Sequence, residues 1–113
     1  MLTMLGIPNC DTIKKAKKFL EANRVDFQFR DLRKEPLAEE EWRGLAKGDE
    51  DDKLINTRSP SFRKTGLKPA DLDEDNKVKV LLAQPTAMKR PAMLVDGQLR
   101  TVGFSEDLFQ IYI

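Results

Sequence analysis

The chain has 113 residues, 40% hydrophobic and 35% charged, with a net charge of +1. That length fits one domain with its own core, and the near-balance of charge creates no global field for nucleic acid or an anionic membrane. Histidine is absent and Cys10 is the single cysteine, which excludes Ser-His-Asp and Cys-His catalysis, histidine metal sites, zinc clusters and an internal disulfide.

Residues 2–5, LTML, form a short apolar run bounded by Gly6 and Pro8 and predict a buried strand. Over residues 12–23, Ile13, Ala16, Phe19 and Leu20 fall at helical spacing, and Lys14, Lys15, Lys17 and Lys18 cover the remaining face. Asn9, Asp11 and Thr12 are all suitable caps, so the helix begins close to Cys10, and Asn23 suits its end. Residues 25–31, VDFQFRD, alternate and predict a half-buried strand. Strand, helix and strand make a βαβ unit with parallel strands.

The middle has another character. PLAEEEWRGLAK, residues 36–47, predicts a helix with Pro36 near its first turn. GDEDDK is a charged turn, and LINTRSPSFRKTG is mixed, with two breakers. KPADLDEDNKVKVLLAQP predicts an acidic turn and then a helix ending before Pro85. No strand pattern occurs between 36 and 90, so the segment from about 35 to 88 reads as a helical insertion. The chain then returns to β structure. Ala92–Val95, an Asp96-Gly97 turn and Leu99–Val102 predict a hairpin. A last helix is expected over Ser105–Tyr112. The order describes a single α/β domain, 1–113. It is that of a thioredoxin-like fold, with a mixed four-stranded sheet and an insertion between its βαβ and ββα halves. No apolar run is long enough to span a bilayer and the N-terminus lacks a signal pattern, so a cytoplasmic protein is expected.

Cys10 stands where the first strand gives way to the first helix. Ligands of βα units bind beyond the carboxyl ends of the strands. A helix N-terminus also supplies free N–H groups and about half a positive charge, which favours a thiolate over a thiol. Lys14, one helical turn on, shares a face with Cys10, whereas a nearby Asp11 carboxylate opposes the effect. The competing reading is an inert, buried cysteine. The lysines at 14, 15, 17 and 18 could form a basic patch, but such a run is more often the solvated face of an amphipathic helix, and no aromatic residues interleave with it. Arg58 and Arg63 lie in a stretch rich in arginine and hydroxyls, which suits either an anion-binding loop or an ordinary surface loop.

Four stretches in order carry a family resemblance: LGIPNCDTIKKAKKFL (5–20), LINTRSPSFRK (54–64), MKRPAMLV (88–95) and VGFSEDLF (102–109). Together they resemble the arsenate reductase (ArsC)-like family. NCDTIKKA is most similar to the YffB-type branch and also resembles the Spx branch, whose members bind RNA polymerase. The resemblance implies a thioredoxin-like core with a helical insertion and makes Cys10 the nucleophile. It matches Arg58 and Arg90 to arginines lining an anion site, and Pro91 to a cis proline facing the cysteine. The backbone N–H groups of Asp11 and Thr12 would help to hold a bound anion, with Lys14 adding charge.

Two departures accompany the likeness. Arsenate reductases carry a further arginine after the last hairpin, where this chain reads GFSEDLFQIYI, and Arg100 lies earlier. Redox-sensing Spx proteins carry a CxxC, and Ile13 occupies its second position here. Two functions remain open. One is a thiol-dependent reductase acting on a disulfide or an arsenate-like oxyanion, with glutathione as the external thiol and no bound cofactor or metal. The other is an Spx-like adaptor for the RNA polymerase α subunit, without direct nucleic-acid or membrane binding.

Overall fold

The computed structural model describes residues 1–113 and separates into two compact units. One comprises Met1–Pro36 and Arg90–Ile113, the other Leu37–Lys89. No helix is long and apolar enough to cross a membrane.

The first unit is a four-stranded mixed sheet in the order β2-β1-β3-β4 with a helix. The strands are β1 (Leu2–Gly6), β2 (Gln28–Asp31), β3 (Ala92–Val95) and β4 (Gln98–Val102), and α1 spans Asp11–Ala22. β1 pairs parallel with β2 and antiparallel with β3, with Leu5 opposite Ala92. β3 and β4 form the expected hairpin, and Asp96 and Gly97 both take positive φ, as the tight turn between twisted strands requires. The Met1 amino group donates to the Asp96 carboxylate at 2.6 Å, tying the N-terminus to that turn.

α1 is helical because its apolar positions form one stripe. Ile13, Ala16 and Leu20 are fully buried with Met4, Met93 and Phe109, while Lys14, Lys15 and Lys18 are exposed. Burial of each large apolar side chain contributes about 1.5–3 kcal/mol. Lys17 departs from its solvated neighbours: its ammonium lies 3.7 Å from the centre of the Phe29 ring. At the C-terminus the Asn23 amide side chain donates to the Phe19 carbonyl at 2.8 Å, and the Val25 N–H donates to the Leu20 carbonyl at 2.9 Å.

That closure corrects the expected strand over 25–31. Arg24 takes a left-handed φ of 57° and the Val25 amide is committed to the helix end, so pairing with β1 begins only at Gln28. The expected terminal helix also differs. Ser105 Oγ accepts the Leu108 N–H at 3.0 Å ahead of the segment, but Leu108–Tyr112 is a 3₁₀ helix whose N-cap is Asp107. In a 3₁₀ helix positions i and i+3 eclipse. Phe109 and Tyr112 therefore stack edge to face at 5.2 Å, with Phe104 4.8 Å from Phe109 on another side.

The second unit contains α2 (Glu39–Gly48), α3 (Pro60–Arg63) and α4 (Glu74–Ala83). α2 begins after Pro36 rather than around it, because Glu41 reaches back to accept the Ala38 N–H at 3.0 Å and starts the helix there. Trp42, Leu45 and Ala46 of α2 and Val78, Val80 and Leu81 of α4 are buried. Arg43 spans the two helices, donating to Glu74 at 3.0 Å and Asp75 at 2.8 Å. Asp73 caps α4 by accepting the Asn76 N–H at 2.8 Å, and Ser59 caps α3 by accepting that of Phe62 at 3.1 Å. One feature here is not helical. Ile55 and Met88 form an isolated antiparallel bridge, which the periodicity of 36–90 does not disclose because a single bridge leaves no alternating run.

Candidate functional site

Cys10 is the N-cap of α1, with extended backbone at φ −107° and ψ 129°, and its side chain is partly exposed. Its carbonyl accepts the Lys14 N–H at 3.0 Å, the first bond of the helix. The N–H groups of Asp11, Thr12 and Ile13 precede that bond and have no acceptor within the helix, and no side chain caps them. They surround the start of the helix on which the thiol sits. The body of the Cys10 side chain packs against the cluster of Met4, Ile13 and Phe109, so its position is set by apolar packing.

Gly6 makes this placement possible. A Cβ at that position would collide with Ile13 Cδ1, and Ile13 is fully buried with little room to retreat. The end of β1 and the first turn of α1 can approach only where one partner has no side chain. Ile7 is buried as the chain turns, and Pro8 and Asn9 complete the connection.

Pro91 belongs to the same end of the sheet. It precedes Ala92, the partner of Leu5, as Gly6 follows Leu5. It is fully buried, the Arg90–Pro91 peptide is cis, and the Pro91 carbonyl accepts the Gly103 N–H at 2.9 Å. Arg90 is partly exposed, Asp11 and Lys14 are exposed, and Thr12 is intermediate. Cys10, Asp11, Thr12, Lys14, Arg90 and Pro91 thus all belong to the unit built on the sheet.

Arg58 belongs to the second unit. It follows a turn in which the Asn56 side-chain oxygen accepts the Arg58 N–H at 3.1 Å and the Asn56 carbonyl accepts that of Ser59 at 3.0 Å. Beside it is a cleft of about 260 Å³, lined by Asp52, Lys53, Ile55, Asn56, Thr57, Arg58 and Lys89. Behind the cleft lies a buried ion pair absent from the expected set. Lys77 on α4 is 5% exposed, and its ammonium lies 3.1 Å from the Asp49 carboxylate and 2.5 Å from that of Asp52. Desolvation pulls the Lys77 ammonium down, but the hydrogen bonds and charges of Asp52 and Asp49 outweigh it, leaving the group above the ordinary lysine value. The Asp49 carboxylate also accepts the N–H groups of Lys53 at 2.8 Å and Leu54 at 3.1 Å. Nothing local marks Lys77, which stands in a helix among other charged residues. Its burial depends on the charged turn of 49–52, 25 to 28 positions earlier.

Residues 5–111 match the ArsC family. A global transcriptional regulator Spx of Enterococcus faecalis is 31% identical over 95% of this chain and 82% of its own. Among solved structures, a YffB protein is 31% identical, with a TM-score of 0.83 over 99% of this chain and 98% of its own. A possible arsenate reductase from Streptococcus mutans is 30% identical, with a TM-score of 0.79 over 96% and 97% of the two chains. These likenesses carry the α/β fold with its mixed four-stranded sheet.

Proposed function

We propose, on the premise that this chain belongs to the ArsC family, that it is a thiol-dependent reductase in which Cys10 is the nucleophile and glutathione the external resolving thiol. The observation that carries this reading is the place of Cys10: the partly exposed cap of α1, beside three N–H groups without helical acceptors. Those groups and the helix dipole favour negative charge at that point. The structural likeness to a possible arsenate reductase supports the same class of chemistry.

The reaction is written for a disulfide substrate. The Cys10 thiolate attacks one sulfur, a bond from Cys10 Sγ to that sulfur forms, the substrate S–S bond breaks, and the second sulfur leaves as a thiolate. A glutathione thiolate then attacks the substrate sulfur of this mixed disulfide. The substrate departs as a disulfide with glutathione and Cys10 returns as a thiolate. No second cysteine exists to perform the last step internally. The N–H groups of Asp11 and Thr12 and the charge of Lys14 steady the thiolate, and Arg90 and Arg58 are assigned to anionic groups of substrate or co-substrate. Pro91, at the same sheet end, shapes the surface the substrate meets.

The test is incubation with oxidised glutathione followed by intact-mass measurement. One glutathione adduct on the wild-type protein, removed by excess glutathione and absent in Cys10→Ser, is the expected outcome. A wild-type protein that stays unmodified overturns the reading.

The 31% identity with Spx favours a second reading, an adaptor that binds the RNA polymerase α subunit. Ile13 is fully buried where Spx proteins carry the second cysteine of their CxxC, so this adaptor would lack that redox switch. Co-purification with the polymerase α C-terminal domain distinguishes the two. Capture at concentrations where Cys10 forms no adduct supports the adaptor, and no complex at high protein concentration excludes it.

A further inference from the structure

We infer that Lys77 is a positioning residue: its buried ammonium organises the turn at 49–52 and, through the Asp49 carboxylate, anchors the backbone that carries Arg58. The inference deepens the reductase reading above and rests on the role assigned there to Arg58.

An ammonium has three N–H donors, and Lys77 meets three acceptors in one turn. They are the Asp52 carboxylate at 2.5 Å, the Asp49 carboxylate at 3.1 Å and the Asp49 carbonyl at 3.5 Å. The neighbours of Lys77 on α4, Val78, Val80 and Leu81, are buried. An apolar side chain would suit that place, and replacing a buried ion pair by apolar residues is often neutral or stabilising. What the ammonium supplies instead is a single geometry for the turn. Asp52 takes a left-handed φ of 54° as its carboxylate comes round to Lys77.

From Asp49 the path to Arg58 is continuous. The Asp49 carboxylate accepts the N–H groups of Lys53 at 2.8 Å and Leu54 at 3.1 Å. The Leu54 carbonyl accepts the Lys89 N–H and the Ala87 carbonyl accepts the Asn56 N–H, each at 2.8 Å, on either side of the Ile55–Met88 bridge. Asn56 then sets the next turn through the Arg58 and Ser59 N–H groups. Arg58 itself is exposed. The point from which its guanidinium reaches out is set by this backbone, and Lys77 anchors one end of it. An orienting group displaced by about 1 Å can cost as much as about a hundredfold in rate.

The experiment is a double-mutant cycle. Lys77→Met with Asp49→Leu removes the pair together, so no lone charge stays buried, and it is made in the wild-type and Arg58→Ala chains. Fluorescence of Trp42, buried in the same unit, reports whether each variant is folded. Adduct formation between Cys10 and oxidised glutathione is expected to slow at least about tenfold in the wild-type background and to slow no further in the Arg58→Ala background. Alkylation of Cys10 by iodoacetamide, which offers Arg58 no anion, is expected to keep its rate. An equal loss in both backgrounds marks a general structural role and overturns the inference. So does an unchanged rate where Arg58→Ala alone is slow. Amide hydrogen exchange gives a readout independent of glutathione. Exchange at Arg58 and Ser59 is expected to quicken at least about tenfold in the Lys77/Asp49 variant, while Val25 and Gly103 in the sheet unit keep their rates. Unchanged exchange at Arg58 and Ser59 overturns the inference whatever Cys10 does. Quickened exchange in a protein whose reaction is indifferent to Arg58→Ala supports the anchor and places the failure in the role given to Arg58. Asp52→Asn removes one exposed charge without disturbing the core and keeps a residue type that tolerates the left-handed conformation. It is expected to give the same pattern at smaller amplitude, and it decides the question if the double variant does not fold.

Discussion

The two units hold their chemically interesting residues by opposite means. In the sheet unit, Cys10 is placed by apolar packing and by a close approach of backbone: it packs against the core cluster that includes Met4, Ile13 and Phe109, and Gly6 allows α1 to start where it does. In the helical unit, the segment leading to Arg58 is placed by polar groups, with a buried ammonium, a carboxylate and two backbone N–H groups locked together. Packing tolerates small adjustments, because neighbouring side chains relax. A buried ion pair does not, because a lone charge left behind has no solvent to turn to.

The comparison breaks most sharply at Lys77. Lys77→Met is expected to cost about 3 kcal/mol, since it leaves Asp49 buried without its cation. Chemical denaturation measures this, and a loss near zero would mean that the pair is not what fixes the segment. The same residue has a pH signature. The folded-state value for Lys77 is raised, so the native state binds the proton more tightly than the unfolded chain. The pair's stabilisation is therefore complete below the ordinary lysine range and is lost as pH climbs through it and beyond. Burial also raises the Tyr112 phenol, against its hydrogen bond with Thr101, and that shift lowers stability in the same direction. Comparing wild type with Lys77→Met across alkaline pH isolates the lysine, because the variant keeps only the weaker slope.

The smaller effect sharpens the other side. Gly6→Ala is expected to cost about 1–3 kcal/mol, the usual range for forcing extra volume into a packed site. It pushes Ile13 away from the end of β1 and shifts the first turn of α1, so reaction of Cys10 with oxidised glutathione should slow as well. A stable variant with unchanged Cys10 reactivity would show that the cap position does not depend on this close approach.

Much of the sheet unit was legible before folding. One apolar stripe specifies α1, Asp-Gly specifies the hairpin turn, and the position of Cys10 between strand and helix follows from both. The errors there are local ones. The alternation at 25–31 is real, but the Val25 amide closes α1 and cannot also serve the sheet. The terminal segment carries a helix pattern but is wound as a 3₁₀ helix, in which Phe109 and Tyr112 stack and Phe104 packs against Phe109. The helical unit was legible only as helices. Its single bridge, its buried lysine and its cationic cleft each join residues more than 20 positions apart.

Composition by itself determined that this chain has no histidine chemistry and no internal partner for Cys10, because those depend on which atoms exist and not on where they lie. Periodicity determined which segments bury a face, since burial of an apolar stripe is a local demand written at fixed spacing. Only the tertiary structure decided which charges would be buried together and which left open. Lys77 and Lys53 carry the same group, and their sequence surroundings do not tell them apart. The fold sets one against Asp49 and Asp52, where desolvation must be answered by a partner, and leaves the other exposed along the lining of a cleft, where water solvates it.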